Sequence, residues 1–315
     1  MKKTIDIISV GEVLIDLIGH EVNTTISRTK DYHRFLGGSP TNVAVNAARL
    51  GLKSVLVATC GQDGLGEYIV RKLKLNDVIT TQIRKSETEP TSVIFVSKST
   101  GTPDFIPYRE ADFQIEKSQI PDELLESAKI FHTTCFALSK NPARKTILES
   151  AKKAKEFGLQ TSIDINFSER IWPNREEAKL VLADYLSTNP LVKLSEDDCF
   201  RLFSEAKTED YIFDYFHALG AETICLTKGK DGVVLSNLQF GLIQQKALPV
   251  NDIKDSTGAG DAFWTGFLYA QLLNKNFNET IVIAQKLAVL KLQNVGRLPE
   301  GINFQEYLNT DLELN

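Results

Sequence analysis

Only four cysteines occur in the 315 residues: Cys60, Cys135, Cys199 and Cys225. They lie far apart, form no Cys-x-x-Cys pair and have no histidine cluster near them, which argues against a disulfide framework and a zinc site. They read as reduced core thiols of a cytoplasmic protein. No apolar run approaches the roughly 20 residues of a membrane-spanning helix, so no membrane partner is expected. Lys2 and Lys3 precede an apolar stretch, but Asp6 interrupts it and Gly11-Glu12 halts it too early for a signal peptide; it reads as a first buried strand. A basic excess is lacking too: 36 Lys and Arg against 41 Asp and Glu leave a formal net charge of −5. That argues against broad binding of nucleic acid or anionic lipid, and partners are expected to be small molecules. Internal repeats and low-complexity linkers are absent. Gly11-Glu12-Val13 stands where a dinucleotide-dependent dehydrogenase would carry Gly-x-Gly-x-x-Gly, and Gly229-Lys230 lacks the flanking residues of a Walker loop.

What is present is an alternation. Short apolar runs (Ile5–Val10, Ser54–Cys60, Ile130–Thr133, Thr161–Ile165, Thr223–Thr227) are interleaved with helical patterns (Pro40–Leu50, Leu65–Leu75, Ala143–Phe157, Arg175–Leu186, Ala259–Leu273, Asn278–Gln293). This predicts crossover units, hence an α/β fold with a mostly parallel central sheet covered by helices on both faces. The length suits one large domain, with or without a small appendage. Two pairs of strand-like segments lack intervening helices: Glu12–Gly19 with Asp31–Leu36, and Thr91–Ser97 with Asp104–Arg109. They predict a small separate sheet or, on the plainer reading, hairpins extending the main one.

The stretch Asp255-Ser256-Thr257-Gly258-Ala259-Gly260-Asp261, followed by Ala262-Phe263-Trp264, sets a glycine-rich turn and a carboxylate at the start of an apolar helix. Gly258, Ala259 and Gly260 let backbone N–H groups approach an anion, and the helix adds unpaired donors and a positive dipole end. Asp261, in the same first turn, is placed to accept the proton of a hydroxyl attacking phosphorus. Alone, the pattern also suits an ordinary turn with Asp261 capping a core helix.

The longer string resembles the C-terminal signature of the ribokinase-like, or PfkB, sugar kinases, Asp-x-Thr-Gly-Ala-Gly-Asp. Gly37-Gly38-Ser39-Pro40-Thr41-Asn42-Val43-Ala44, running on to Leu50-Gly51, resembles the N-terminal signature of the same family. The resemblance runs from Gly11 to about Pro299. It implies a ribokinase-like three-layer sandwich in a single domain over 1–315, with a β-sheet lid built from discontinuous segments at about 12–38 and 88–114. It implies ATP and Mg²⁺ as cofactors, a monovalent cation such as K⁺ near Asp255, a sugar as acceptor, and room for a homodimer through the lid. Asp255 is equally explained as a shaper of the turn.

Residue by residue, the resemblance makes Asp261 the base and Gly258, Ala259 and Gly260 the anion cradle. Asp16, Gly38, Asn42, Arg109 and Asn166 become sugar ligands, Arg109 from a Tyr-Arg…Ala-Asp segment of fructokinase-like members. Thr227, Gly229 and Asn294 fall on the nucleotide side with Gly258 and Gly260, and Glu196 organises water around Mg²⁺. Each has a plainer reading: Ser39-Pro40 as an N-cap with proline in the first turn, Glu196 as a helix cap, Arg109 as a solvent-facing strand end. Two departures stand out. Lys193 occupies the position of an asparagine, and Ser168 that of an arginine, with Arg170 two residues away. Loss of that cation favours a neutral hexose, and so a fructokinase, over 2-keto-3-deoxygluconate or 5-dehydro-2-deoxygluconate. A noncatalytic sugar or nucleotide sensor on the same scaffold is the rival of another class.

Overall fold

The period-two alternation of buried strands sorts their side chains between two hydrophobic layers. In the computed structural model, which describes residues 3–98, 104–295, 298–299 and 302–309, Ile7 packs with Phe263, Trp264 and Phe267, whereas its neighbour Ile8 packs with Phe131 and Ile163. The strands are β1 (Ile5–Val10), β2 (Leu14–Val22), β3 (Tyr32–Gly37), β4 (Ser54–Gly61), β5 (Ile83–Ser86), β6 (Val93–Lys98), β7 (Phe105–Tyr108), β8 (Ala128–Thr134), β9 (Gln160–Asp164), β10 (Leu191–Ser195), β11 (Thr223–Thr227), β12 (Val233–Asn237) and β13 (Gly241–Gln245). Nine form one sheet in the order β13-β12-β11-β10-β9-β8-β1-β4-β5. It is parallel from β11 to β5, and β12 and β13 add an antiparallel edge.

The helices are α1 (Ser39–Arg49), α2 (Gly64–Lys74), α3 (Asp122–Glu126), α4 (Ala143–Glu156), α5 (Arg175–Leu186), α6 (Glu196–Phe203), α7 (Glu209–Ala218), α8 (Ala259–Leu272), α9 (Phe277–Leu292) and α10 (Phe304–Asn309). α1, α8 and α9 cover one face through Val43, Trp264, Phe267 and Ile281; α4 to α7 cover the other through Ile147, Tyr185, Leu202 and Phe216. α8 and α9 pack closely because Gly266 has no side chain: a Cβ there would lie 2.8 Å from Ala284 Cα. No helix among the described residues is long and apolar enough to cross a membrane.

The paired strand-like segments become a separate four-stranded sheet, ordered β3-β2-β6-β7, rather than an extension of the main one. Its inner face is apolar, with Leu14, Ile94 and Val96 buried. Arg170, two residues from its expected position, ties this sheet to the main body by donating to the Phe105 carbonyl and pairing with Asp104. Residues 99–103, within the expected lid span, lie outside the described residues.

Candidate active site

Two helices begin at the same place. α8 starts after Gly258, whose φ of 76° is left-handed, and α1 starts after Gly38 at φ 103°; both conformations favour glycine. Ser39 is therefore the first residue inside α1 and not its N-cap, so its hydroxyl is free for another task. Ser39 Oγ donates to Asp261 Oδ1 at 2.6 Å and Asn42 Nδ2 donates to Oδ2 at 2.7 Å. The two sequence motifs, more than two hundred residues apart, thus converge on one carboxylate. Asp261 lines an open cleft, so it does not serve as a cap turned into the core. Burial pushes its pKa up, opposed by the Ser39 and Asn42 hydrogen bonds and by the charges of Lys193 and Lys291.

The expected cradle needs one correction. The Ala259 N–H already donates to the Ser256 carbonyl at 3.2 Å, which leaves the N–H groups of Gly258 and Gly260 to meet an anion. Gly260 has a second constraint: a Cβ there would sit 3.0 Å from Lys193 Nζ. The cleft, about 640 Å³, is of small-molecule size and opens at the C-terminal ends of β9, β10 and β11, where open α/β sheets bind ligands. Asn166, Thr227, Gly229 and Glu196 line it with Gly258, Gly260 and Asp261. Asn294 is not on that lining; its amide donates to the Leu290 carbonyl.

On the other side of Asp261 stands Asp16, close enough that the Asp261 charge adds to burial in raising the Asp16 pKa to about 7. Gly37 makes room for it, since a Cβ there would lie 2.3 Å from Asp16 Oδ2. Asn42, expected on a sugar hydroxyl, is held by Asp261. Arg109 is not the solvent-facing strand end of the plainer reading; it is buried and tied to the protein. Its Nε and Nη2 donate to Asp112 at 2.8 and 2.6 Å, Nη1 to Ser139 at 2.6 Å, and the guanidinium lies 4.1 Å over the Phe136 ring.

Three charged residues have no site role in the sequence expectations. Glu12 is 2 % exposed, accepts from the Ser39 N–H at 3.0 Å and from Thr134, and burial raises its pKa to about 8. Lys193 is buried against Asp164, and Lys291 pairs with Asp255 at 3.1 Å while donating to the Asn294 carbonyl. Tertiary burial, which no local motif records, is what sets them apart.

Glu196 is half exposed at the cleft mouth, 3.7 Å from Lys228 Nζ. It does not close the cap of α6: Asp198 does, accepting from Ser195 N while Ser195 Oγ accepts from Asp198 N. Glu196 lines the cleft beside Lys228. Among the described residues no three acidic, histidine or cysteine side chains converge as a ready metal cage. A hard oxygen donor without a full cage fits Mg²⁺, which keeps several waters and binds through one or two carboxylates plus phosphates.

Comparison with known proteins adds to this geometry. Residues 4–299 match the pfkB family carbohydrate kinase. An ATP-dependent 6-phosphofructokinase of Thermoanaerobacterium thermosaccharolyticum is 31% identical over 300 residues, 94% of this chain and 90% of that protein. The structure of Halothermothrix orenii fructokinase has 34% identity and a TM-score of 0.80, covering 91% of this chain and 99% of that one. The structure of the Pyrococcus horikoshii sugar kinase PH1459 in complex with ATP has 29% identity and a TM-score of 0.83, covering 96% and 99%.

Proposed function

The chain belongs to the pfkB family of carbohydrate kinases, within its fructokinase-like subgroup, and we propose that it transfers the γ-phosphate of ATP to a primary hydroxyl of a neutral ketohexose, fructose first. The observation that carries the proposal is the convergence of Ser39, Asn42 and the start of α8 on the Asp261 carboxylate at the end of the cleft.

In this reading the acceptor hydroxyl takes the place of one of the two donors now on Asp261. When Asn42 is the one released, its amide is free to hold a neighbouring sugar hydroxyl, so its expected role and its observed partner belong to two states of one site. Asp261 accepts the proton late, as charge leaves the attacking oxygen, which suits a carboxylate better by position than by basicity. Gly258 and Gly260 N–H groups and the positive end of α8 stabilise charge on the phosphoryl oxygens. Asp16 and the backbone at Gly38 hold the sugar, Asn166 borders it, and Thr227 and Gly229 flank the nucleotide phosphates. Glu196 would hold the water shell of a bound Mg²⁺, which would supply neutralisation of phosphate charge. The four-stranded sheet acts as the lid that excludes water, and its edge strand β7, exposing Ile106 and Tyr108, is the face through which a homodimer would form.

A phosphorylated hexose is the second reading. It draws on the 6-phosphofructokinase relative and on a cavity of about 130 Å³ under the small sheet, lined by His20, His33 and Lys98 beside Thr257. An ADP-release assay with fructose, fructose 6-phosphate and keto-deoxy sugar acids separates the cases. Turnover with fructose is the expected result, turnover with the phosphate ester alone selects the second reading, and none with any acceptor removes both.

A further inference from the structure

Lys193 sits in mid-sheet on β10 with its side chain only 8% exposed, an expensive place for an ammonium. It donates twice to Asp164, at 3.1 Å to Oδ1 and 2.9 Å to Oδ2. An ammonium carries three donors, so at least one remains for another oxygen. Burial pulls its pKa down, but Asp164 first, then Asp198 and Asp261, pull it up further, and the group stays charged. For the fold alone, an apolar pair in place of Lys193 and Asp164 would serve as well or better.

The side chain's direction gives the pair a purpose. Both residues line the cleft, and the ammonium lies directly under the helix start, 3.0 Å from where a Gly260 Cβ would be. Of the two glycines in the turn, Gly260 is thus the one where a side chain would press on this cation. The ammonium lies below the N–H groups expected to receive the phosphoryl group, with Asp261 near enough for each charge to act on the other.

We infer that Lys193 is a catalytic residue of the phosphoryl transfer: held by Asp164 beneath Gly260, its ammonium donates to a non-bridging oxygen of the γ-phosphoryl group. The inference rests on the kinase reading above. The bond from the γ-phosphorus to its bridging oxygen breaks, the bond to the acceptor oxygen forms, and the acceptor proton goes to Asp261. Lys193 keeps its protons throughout. A cation fixed in place before the reaction stabilises the added charge without reorganising.

The competing role is a counterion that only neutralises Asp164. Calorimetric binding of ADP and of β,γ-imido-ATP to wild type and Lys193→Met distinguishes them, because only a γ-phosphate contact sees the difference between the ligands. The expected result is a loss of about tenfold or more in imido-ATP affinity with ADP affinity changed by less than about threefold, and a fall of about 10²–10³ in kcat with the acceptor KM little altered. Equal losses for both nucleotides, or none, would overturn the inference. If Lys193→Met does not fold, the double variant D164N/K193M removes both charges and is compared with D164N alone by the same two titrations. The nucleotide titrations decide the role of Lys193 even if no sugar proves to be an acceptor, so the two readings can fail separately.

Discussion

The starts of α1 and α8 are built alike and finished differently. Each follows a glycine with positive φ, and each points at Asp261. At α1 the protein supplies its own acceptor: the buried Glu12 carboxyl accepts the Ser39 N–H, and a Cβ on Gly38 would lie 2.3 Å from the Glu12 carbonyl oxygen. At α8 no side chain caps the helix, and the nearest atom to a Gly258 Cβ would be 3.7 Å away. A helix start that is filled from within fixes geometry; one left open to a cleft awaits an anion from outside. On the proposed function, this difference gives the acceptor-side scaffold to α1 and the phosphoryl group to α8.

The strongest way to break this comparison is at the shared carboxylate. Asp261→Asn keeps the shape and cannot take the proton, so kcat is expected to fall about 10²–10⁴-fold while calorimetric ATP affinity stays within about threefold. Near-normal turnover would remove Asp261 as the base. Next come the two glycines. Gly38→Ala meets both left-handed strain and a backbone clash and is expected to cost about 3 kcal/mol or more in urea unfolding, whereas Gly258→Ala meets strain alone, about 1–2 kcal/mol. Equal losses would mean that the two helix starts are not packed differently.

Glu12 sharpens the comparison through pH. Its folded pKa is raised to about 8 by burial, so the folded state holds the proton more tightly than the unfolded chain. The resulting stability is complete below about pH 4.5 and is lost as pH rises toward 8. Tm is therefore expected to fall more steeply between pH 5 and 8 for wild type than for Glu12→Gln, a difference of about 3 kcal/mol across that window. Parallel profiles would show that Glu12 does not titrate there. The smallest effect concerns the monovalent cation. Lys291 already brings a positive charge to Asp255 behind Gly258, so exchanging K⁺ for tetramethylammonium is expected to change turnover by less than about threefold. A loss of an order of magnitude would show that an ion shares the site.

Sequence reading reached what is local. The strands Ile5–Val10 and Thr223–Thr227 and the helix Arg175–Leu186 have the expected limits, because periodicity and turn residues mark them within a few positions. The glycine turn with Asp261 was legible for the same reason. The helix α7 is absent from the sequence expectations although Thr208 caps it and Glu209 and Asp210 open it. Lys193 appeared only as a departure from a motif, since its contact with Gly260 spans 67 positions and exists only once β10 and α8 are side by side. Nothing in the segment around Arg109 shows that Ser139, 30 positions away, takes one of its donors. Glu12 looked like a strand terminator until burial beneath α1 gave it a partner.

The central claim is that the open start of α8, and not the filled start of α1, receives the transferring phosphoryl group. A crystal structure with ADP, fructose and aluminium fluoride tests it most directly. The account predicts the fluoride group within about 3 Å of the Gly258 and Gly260 nitrogens, in line between the ADP oxygen and a hexose hydroxyl that rests on Asp261. A fluoride group bound elsewhere in the cleft, with Ser39 and Asn42 still occupying both oxygens of Asp261, would contradict it.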